Sequence, residues 1–177
     1  MEIKKEKRVS GKTIYSGNIL NLKRDEVEFC NNIQSVRELV EHSGGVSVLA
    51  ENDEGKVLLI KQYRYPVDEV IYEIPAGKLE IDEEIVECAS RELREETGYQ
   101  AEEFSELYRF YPTPGYSTEV IYIYKAKGLS YVGTELEEGE YIEVVPKSRK
   151  ELQELLKNGE LKDSKTLIAV LHYLGEY

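Results

Sequence analysis

Residues 83–96 constrain this chain more than any other stretch. They include neither Pro nor Gly, are rich in helix formers, and are followed at Gly98 by a residue suited to a helix C-cap. With about 100° per residue and Glu92 set to zero, Ile85 falls at about 20°, Ala89 at about 60°, Leu93 at about 100° and Val86 at about 120°, a stripe for burial. Glu96 falls at about 40° and Glu95 at about 300°, so Glu92, Glu95 and Glu96 bracket one edge of that stripe. Carboxylates turned toward an apolar edge are unfavourable unless charged groups compensate them. Three compensators are open: Arg91, Arg94 or a divalent cation. Hard cations take carboxylate and carbonyl oxygens and keep waters and substrate phosphates as their remaining ligands. The preceding Ile74-Pro75-Ala76-Gly77-Lys78 reads as a Pro/Gly loop able to turn backbone carbonyls toward the same point.

Charge sharpens the choice. The 177 residues carry 23 Lys+Arg against 35 Asp+Glu, a formal charge of −12. Residues 77–99 hold Glu80, Asp82, Glu83, Glu84, Glu87, Glu92, Glu95 and Glu96, and residues 135–143 hold Glu135, Glu137, Glu138, Glu140 and Glu143. Like charges packed this closely repel. They form either two solvated acidic surfaces or two clusters compensated by bound cations. The excess of acid disfavours a grip on nucleic-acid backbones. No apolar run approaches the ~18 residues of a membrane span, and the charged start at residues 1–8 has no apolar stretch behind it, so no signal peptide is expected. Cys30 and Cys88 are too few for a disulfide framework and lack metal-ligand spacing. His42 and His172 have no companions at metal spacing either. A cytoplasmic protein without nucleic-acid or membrane partners is expected.

Alternation and turn residues predict strands at 13–15, 19–29, 33–40, 46–50, 57–61, 70–74, 104–111, 119–127 and 141–145. Helices are predicted at 83–96, 148–157 and 164–174. Strands on both sides of one central helix, followed by further helices, make an α+β or α/β fold with a mixed sheet. The all-strand stretch 1–42 reads as a small β-rich lobe and 43–177 as the main domain.

Gly77, five residues, Glu83, seven residues, and then Arg91-Glu92-Leu93-Arg94-Glu95-Glu96-Thr97-Gly98-Tyr99 match the signature box of the Nudix hydrolases at every defined position. Seven fixed letters match by chance on the order of once in 10⁹ start positions, loosened by roughly two to three decades in so glutamate-rich a chain. The resemblance implies an α+β Nudix-type sandwich, α/β/α with a mixed sheet. It also implies hydrolysis of a nucleoside diphosphate linked to another moiety, with two or three Mg²⁺ ions, or Mn²⁺. Carried over residue by residue, the Ala76 carbonyl, Glu92 and Glu96 resemble metal ligands, with Glu95 close to the metals. Arg91 resembles the arginine that pairs with a box glutamate and orients it, consistent with the position of Glu83.

Features outside the box resemble the ADP-ribose pyrophosphatase branch. They are Glu73-Ile74-Pro75-Ala76-Gly77-Lys78-Leu79-Glu80, the marker-like Pro114 sixteen residues after Gly98, and the strand-rich N-terminal lobe through which members dimerise. The resemblance then covers roughly residues 10–175, and Ile81-Asp82 departs from relatives that carry a Gly before the box glutamate. It implies ADP-ribose as substrate, AMP and ribose 5-phosphate as products, and a homodimer. Glu138 is implied as general base and Glu140 as a further metal ligand, on a loop after the central strands. Arg37, Arg64, Glu73 and Glu119 are implied as substrate-binding residues, and Tyr15 is one candidate for stacking on adenine. Rival readings are a sister specificity toward a nucleotide sugar such as GDP-mannose or toward a dinucleotide, and a silent sensor domain. The intact set of box glutamates speaks against the last.

Overall fold

The structure, a computed structural model, describes residues 3–29, 33–136 and 139–175, and the chain divides into two units. The smaller, Met1–Gly44 with Tyr111–Val120, carries an antiparallel sheet of β1 (Lys7–Ser16), β2 (Asn21–Glu28) and β3 (Gln34–Glu41) in that order. A single three-stranded layer buries little: among the described residues Val27 is its one buried hydrophobic side chain, while Val9, Ile14, Tyr15 and Val36 are exposed. The turn at residues 113–119 docks on the end of β3. There Val40 N–H donates to Tyr116 O at 2.8 Å, and Thr118 N–H donates to Val40 O at 2.9 Å.

The larger unit, Gly45–Phe110 with Ile121–Tyr177, holds every other element. In chain order these are β4 (Gly45–Ala50), β5 (Lys56–Arg64), β6 (Glu69–Glu73), β7 (Ala76–Lys78), α1 (Ile85–Thr97), β8 (Tyr99–Phe110), β9 (Ile121–Tyr131), β10 (Ile142–Ser148), α2 (Arg149–Lys157) and α3 (Ser164–Leu174). One sheet runs β7-β4-β9-β8, mixed because β4 and β9 are parallel; the other runs β10-β5-β6 and is antiparallel.

Strand periodicity decides where the helices go. Successive side chains on a strand face opposite ways, so Val46, Val48 and Ala50 of β4, with Leu58 of β5, form one core with Cys88, Ala89 and Leu93 of α1. Leu49, Val57 and Leu59 face the other way, joining Leu152 and Leu155 of α2 and Ala169, Val170 and Leu174 of α3. The strands are thus sandwiched between α1 on one side and α2 with α3 on the other, in an α+β architecture. The helix ends are specified locally. Ser148 and Glu151 form a reciprocal capping box on α2, Asp163 caps α3, and Gly98 ends α1 in the left-handed conformation. A Cβ at Gly98 would stand 2.9 Å from backbone atoms of Gly133 and Thr134, so this position needs Gly for space as well as for φ. No helix among the described residues is long and apolar enough to cross a membrane.

Two expectations are corrected. Val86 is 44% exposed: its turn packs on the core through Ile85 and Cys88, and no neighbouring element among the described residues covers Val86; the buried arc runs through Cys88, Ala89, Leu93, Glu96 and Thr97. The stretch expected to be an irregular loop at 74–78 instead ends in a strand. Ala76–Lys78 pairs antiparallel with Gly45–Ser47 of β4.

Ahead of α1, Asp82 takes a left-handed φ of 62°, at the position where the signature's relatives carry Gly. Asp tolerates this region better than a residue without a short polar side chain. In thermal melts Asp82→Gly is expected to unfold at or above the temperature of the parent, and Asp82→Ala to lose about 1 kcal/mol. An Ala variant as stable as the Gly variant would contradict this.

Candidate active site

Arg91 organises the acidic face of α1. Its Nε donates to Glu83 Oε1 at 2.8 Å and its Nη2 to Glu83 Oε2 at 3.1 Å, while Nη1 donates to Glu92 Oε1 at 2.6 Å and Glu95 Oε2 at 3.0 Å. One guanidinium therefore sets the rotamers of three carboxylates through its fixed fork of donors. The hydrogen bond from Arg91 holds the Glu83 carboxyl down at about 2, and the same bond foremost raises the Arg91 pKa. Of the two arginines that could compensate the box, Arg91 does so; Arg94 pairs with Glu135.

Glu96 stands apart from this arginine. It is 4% exposed, and its Oε2 accepts from the Ala76 N–H at 2.8 Å. Burial pushes its carboxyl up to about 8, the Ala76 N–H opposes the shift, and the nearby charges of Glu92, Glu140 and Glu73 add to it. Burial also raises Glu92, against the pull of Arg91. Glu96 thus lies inside the buried arc, whereas Glu92 is half-buried at its edge.

Gly77 makes room for them. A Cβ there would fall 1.8 Å from Glu92 Oε1 and 1.9 Å from its carboxyl carbon. The position is fixed from behind, since Gly77 pairs with Val46 and Val48 N–H donates to Pro75 O at 2.8 Å. The box Gly is therefore a matter of space for a carboxylate.

Around Ala76 the donors are all oxygen, and Glu96 has acidic neighbours and no ion pair among the described residues, with Arg64 near enough to feel its charge. That chemistry fits a hard divalent cation. Among the described residues, however, no three His, Cys, Asp or Glu side chains converge closely enough to enclose a metal ion, because Arg91 draws Glu92 and Glu95 to itself.

A second charged group lies at the far end of β5. Arg64 Nε donates to Glu73 Oε1 at 2.5 Å and Nη2 to Glu73 Oε2 at 2.8 Å. Glu73 is 1% exposed and also bonds Lys165. Burial alone would raise its pKa, yet Arg64 and Lys165 together hold it below the usual value. Lys165 and its neighbours were missed in the sequence, where Asp163-Ser164-Lys165-Thr166 announces a helix start and nothing of its role.

The structure thus brings Ala76, Arg91, Glu92, Glu95 and Glu96 together, with Glu140 acting through its charge and Arg64 bound to Glu73. Arg37 and Glu119 belong to the smaller unit. Arg37 there binds Glu6 at 2.5 and 2.9 Å, and Glu119 Oε1 lies 3.6 Å from His42 Nδ1, which also accepts from Gly44 N–H. Tyr15, in the same unit, is exposed. Glu138 lies outside the described residues, as does Cys30.

The two perturbed carboxyls give stability opposite slopes with pH. Glu96, near 8 folded against an ordinary 4.5, binds more proton in the native state between those values, so its contribution falls as pH rises from 4.5 to about 8. Glu83, near 2 folded, contributes stability above 4.5 that is lost as pH falls toward 2. In chelator-treated protein the melting temperature is expected to decline from pH 5 to 8, and Glu96→Gln to flatten that limb while leaving the acid limb in place. An alkaline decline unchanged in Glu96→Gln would refute the assignment.

Comparison with known proteins places this geometry. The NUDIX domain profile matches residues 41–169. An ADP-ribose pyrophosphatase of Bacillus subtilis (strain 168) is 40% identical over 172 residues, 96% of this chain and 93% of that protein. A methanol dehydrogenase activator of Bacillus methanolicus is 41% identical over 167 residues, 93% of this chain and 90% of that one. A GDP-mannose pyrophosphatase of Yersinia enterocolitica serotype O:8 / biotype 1B (strain NCTC 13174 / 8081) is 36% identical over 149 residues, 77% of this chain and 76% of its own. Among solved structures, the crystal structure of an ADP compounds hydrolase superposes over 100% of both chains with a TM-score of 0.84 at 21% identity, a likeness of fold. The chain belongs to the Nudix hydrolases.

Proposed function

We propose that this Nudix hydrolase cleaves the diphosphate bond of ADP-ribose to AMP and ribose 5-phosphate, with Mg²⁺ or Mn²⁺ held at the Ala76 carbonyl, Glu92, Glu96 and Glu140. The buried Glu96 carboxyl carries the reading: Glu92, Glu140 and Glu73 lie near it, its pKa is raised to about 8, it makes no ion pair among the described residues, and a divalent cation would supply that partner. Nudix hydrolases generally use divalent metal ions. Two or three such ions, when bound, would neutralise the diphosphate and acidify a water for in-line attack.

The side chains supply orientation and charge. Arg91, locked by Glu83, holds Glu92 and Glu95 in fixed rotamers. The Ala76 N–H fixes one oxygen of Glu96 and leaves the other for a ligand. Arg64 spends its Nε edge on Glu73, and its Nη1 has no hydrogen-bond partner among the described residues, so an N–H remains for a substrate phosphate oxygen. Glu138 takes the proton from the attacking water, and Arg37 and Glu119 hold the nucleoside side, in a homodimer joined through the β-rich lobe of residues 1–42. ADP-ribose is favoured by the name of the 40% identical relative; the GDP-mannose pyrophosphatase relative keeps a nucleotide sugar as the second reading.

A hydrolysis panel with metal titration tests this. Turnover of ADP-ribose is expected to exceed that of GDP-mannose and of diadenosine compounds and to vanish with chelator. Glu138→Gln should lower kcat by at least about 10²-fold. Gly77→Ala should retain the fold while displacing Glu92 and lowering turnover. Preference for GDP-mannose would replace the substrate, and absence of turnover on every compound would favour a sensor domain.

A further inference from the structure

The first turn of α3 touches the candidate site from behind. Lys165 is 14% exposed at its side chain, bonds Glu73 Oε2 and lies 2.9 Å from Asp163 Oδ1. Thr166 Oγ1 accepts from the Ile74 N–H at 2.9 Å and donates to Asp163 Oδ2 at 2.6 Å. Consecutive residues are thus gripped by different elements: Glu73 by Arg64 and Lys165, Ile74 by Thr166, Pro75 by Val48, and Ala76 by Glu96.

The grip on Glu73 matters for its partner. A carboxylate buried this deeply stays ionised only with well-placed partners. Arg64 supplies two donors along one edge, and Lys165 supplies the third. Without the ammonium, Glu73 Oε2 would have Arg64 alone, and the carboxylate and guanidinium could turn together toward whatever arrangement satisfied both. With it, the carboxylate plane is fixed, and so is the direction in which the unused N–H groups of Arg64 point. Arg64 is 40% exposed at its side chain, open enough to meet an anion.

We infer that Lys165 is a positioning residue for substrate: by holding Glu73 from α3, it aims the free edge of Arg64 at a phosphate of the nucleoside diphosphate. Asp163 and Thr166 anchor the turn that carries it. This rests on the reading of Arg64 as a phosphate contact. It assigns substrate affinity to a residue outside the signature box.

The test compares steady-state kinetics on ADP-ribose with Mg²⁺ for the full chain and for Lys165→Met, Lys165→Arg, Arg64→Ala and Glu73→Gln, each checked for folding by circular dichroism and melting. Lys165→Met is expected to raise KM about tenfold with kcat within about twofold, and Lys165→Arg to restore KM toward the parent. In the Glu73→Gln background, Lys165→Met should add nothing further, since its effect runs through that carboxylate. A folded Lys165→Met with parental KM, or an equal further rise in the Glu73→Gln background, overturns the inference. If Lys165→Met alone does not fold, the double variant decides against Glu73→Gln by the same criterion. Arg64→Ala separates the layers. Its KM unchanged removes the phosphate contact itself, whereas its KM raised beside a parental, folded Lys165→Met removes only the role of Lys165.

Discussion

A shortage of positive charge where negative charge is buried governs this structure. Glu83, Glu92 and Glu95 share one guanidinium, and Glu96 has a single backbone N–H. Unpaired buried carboxylates destabilise a fold, so the arrangement persists because the strands around it are fixed by two apolar cores that do not depend on it. Hydrophobic burial builds the frame; the acidic face is then held within it with more carboxylates than positive partners. Stability and function are in tension at α1.

The frame and the site meet in the four residues Glu73–Ala76. Apolar alternation puts Ile74 into the core beside α2 and α3, with the residues on either side left to polar partners. A Pro and a following Gly-containing strand let the chain turn sharply there and pass close beneath Glu92. Each neighbour in this short run answers to a different element, which makes the run a junction between packing and chemistry.

Much of this was legible in the sequence, for identifiable reasons. The α1 helix could be read from its unbroken run of helix formers and from Gly98, because both signals are local. From residue types alone Arg91 was one of three options, the resemblance singled it out, and the geometry pairs it with Glu83, Glu92 and Glu95. Val86 was misplaced because periodicity gives an angle and says nothing of whether another element covers that position. The strand at Ala76–Lys78 escaped because three residues are too few to show a period, and its pairing with β4 comes from residues about thirty positions away. Glu73 was named from resemblance alone, and its partner Lys165 could not be read because nothing local connects residues so distant.

That distance carries a consequence for how the protein matures. Glu96 reaches Ala76 across 20 residues, whereas Lys165 reaches Glu73 across 92. Contacts of the first kind close small loops and form early; those of the second wait for large ones. A folding molecule can therefore assemble its acidic helix against β7 before α3 arrives, and until then Arg64 is the cationic partner of Glu73 among the described residues. Docking of the last helix completes the packing core and the set of partners around Glu73 in one event. Chains that stall before it would lack both the core against α3 and the Lys165–Glu73 pair, so the completed packing and resistance to proteolysis should appear in the same kinetic phase.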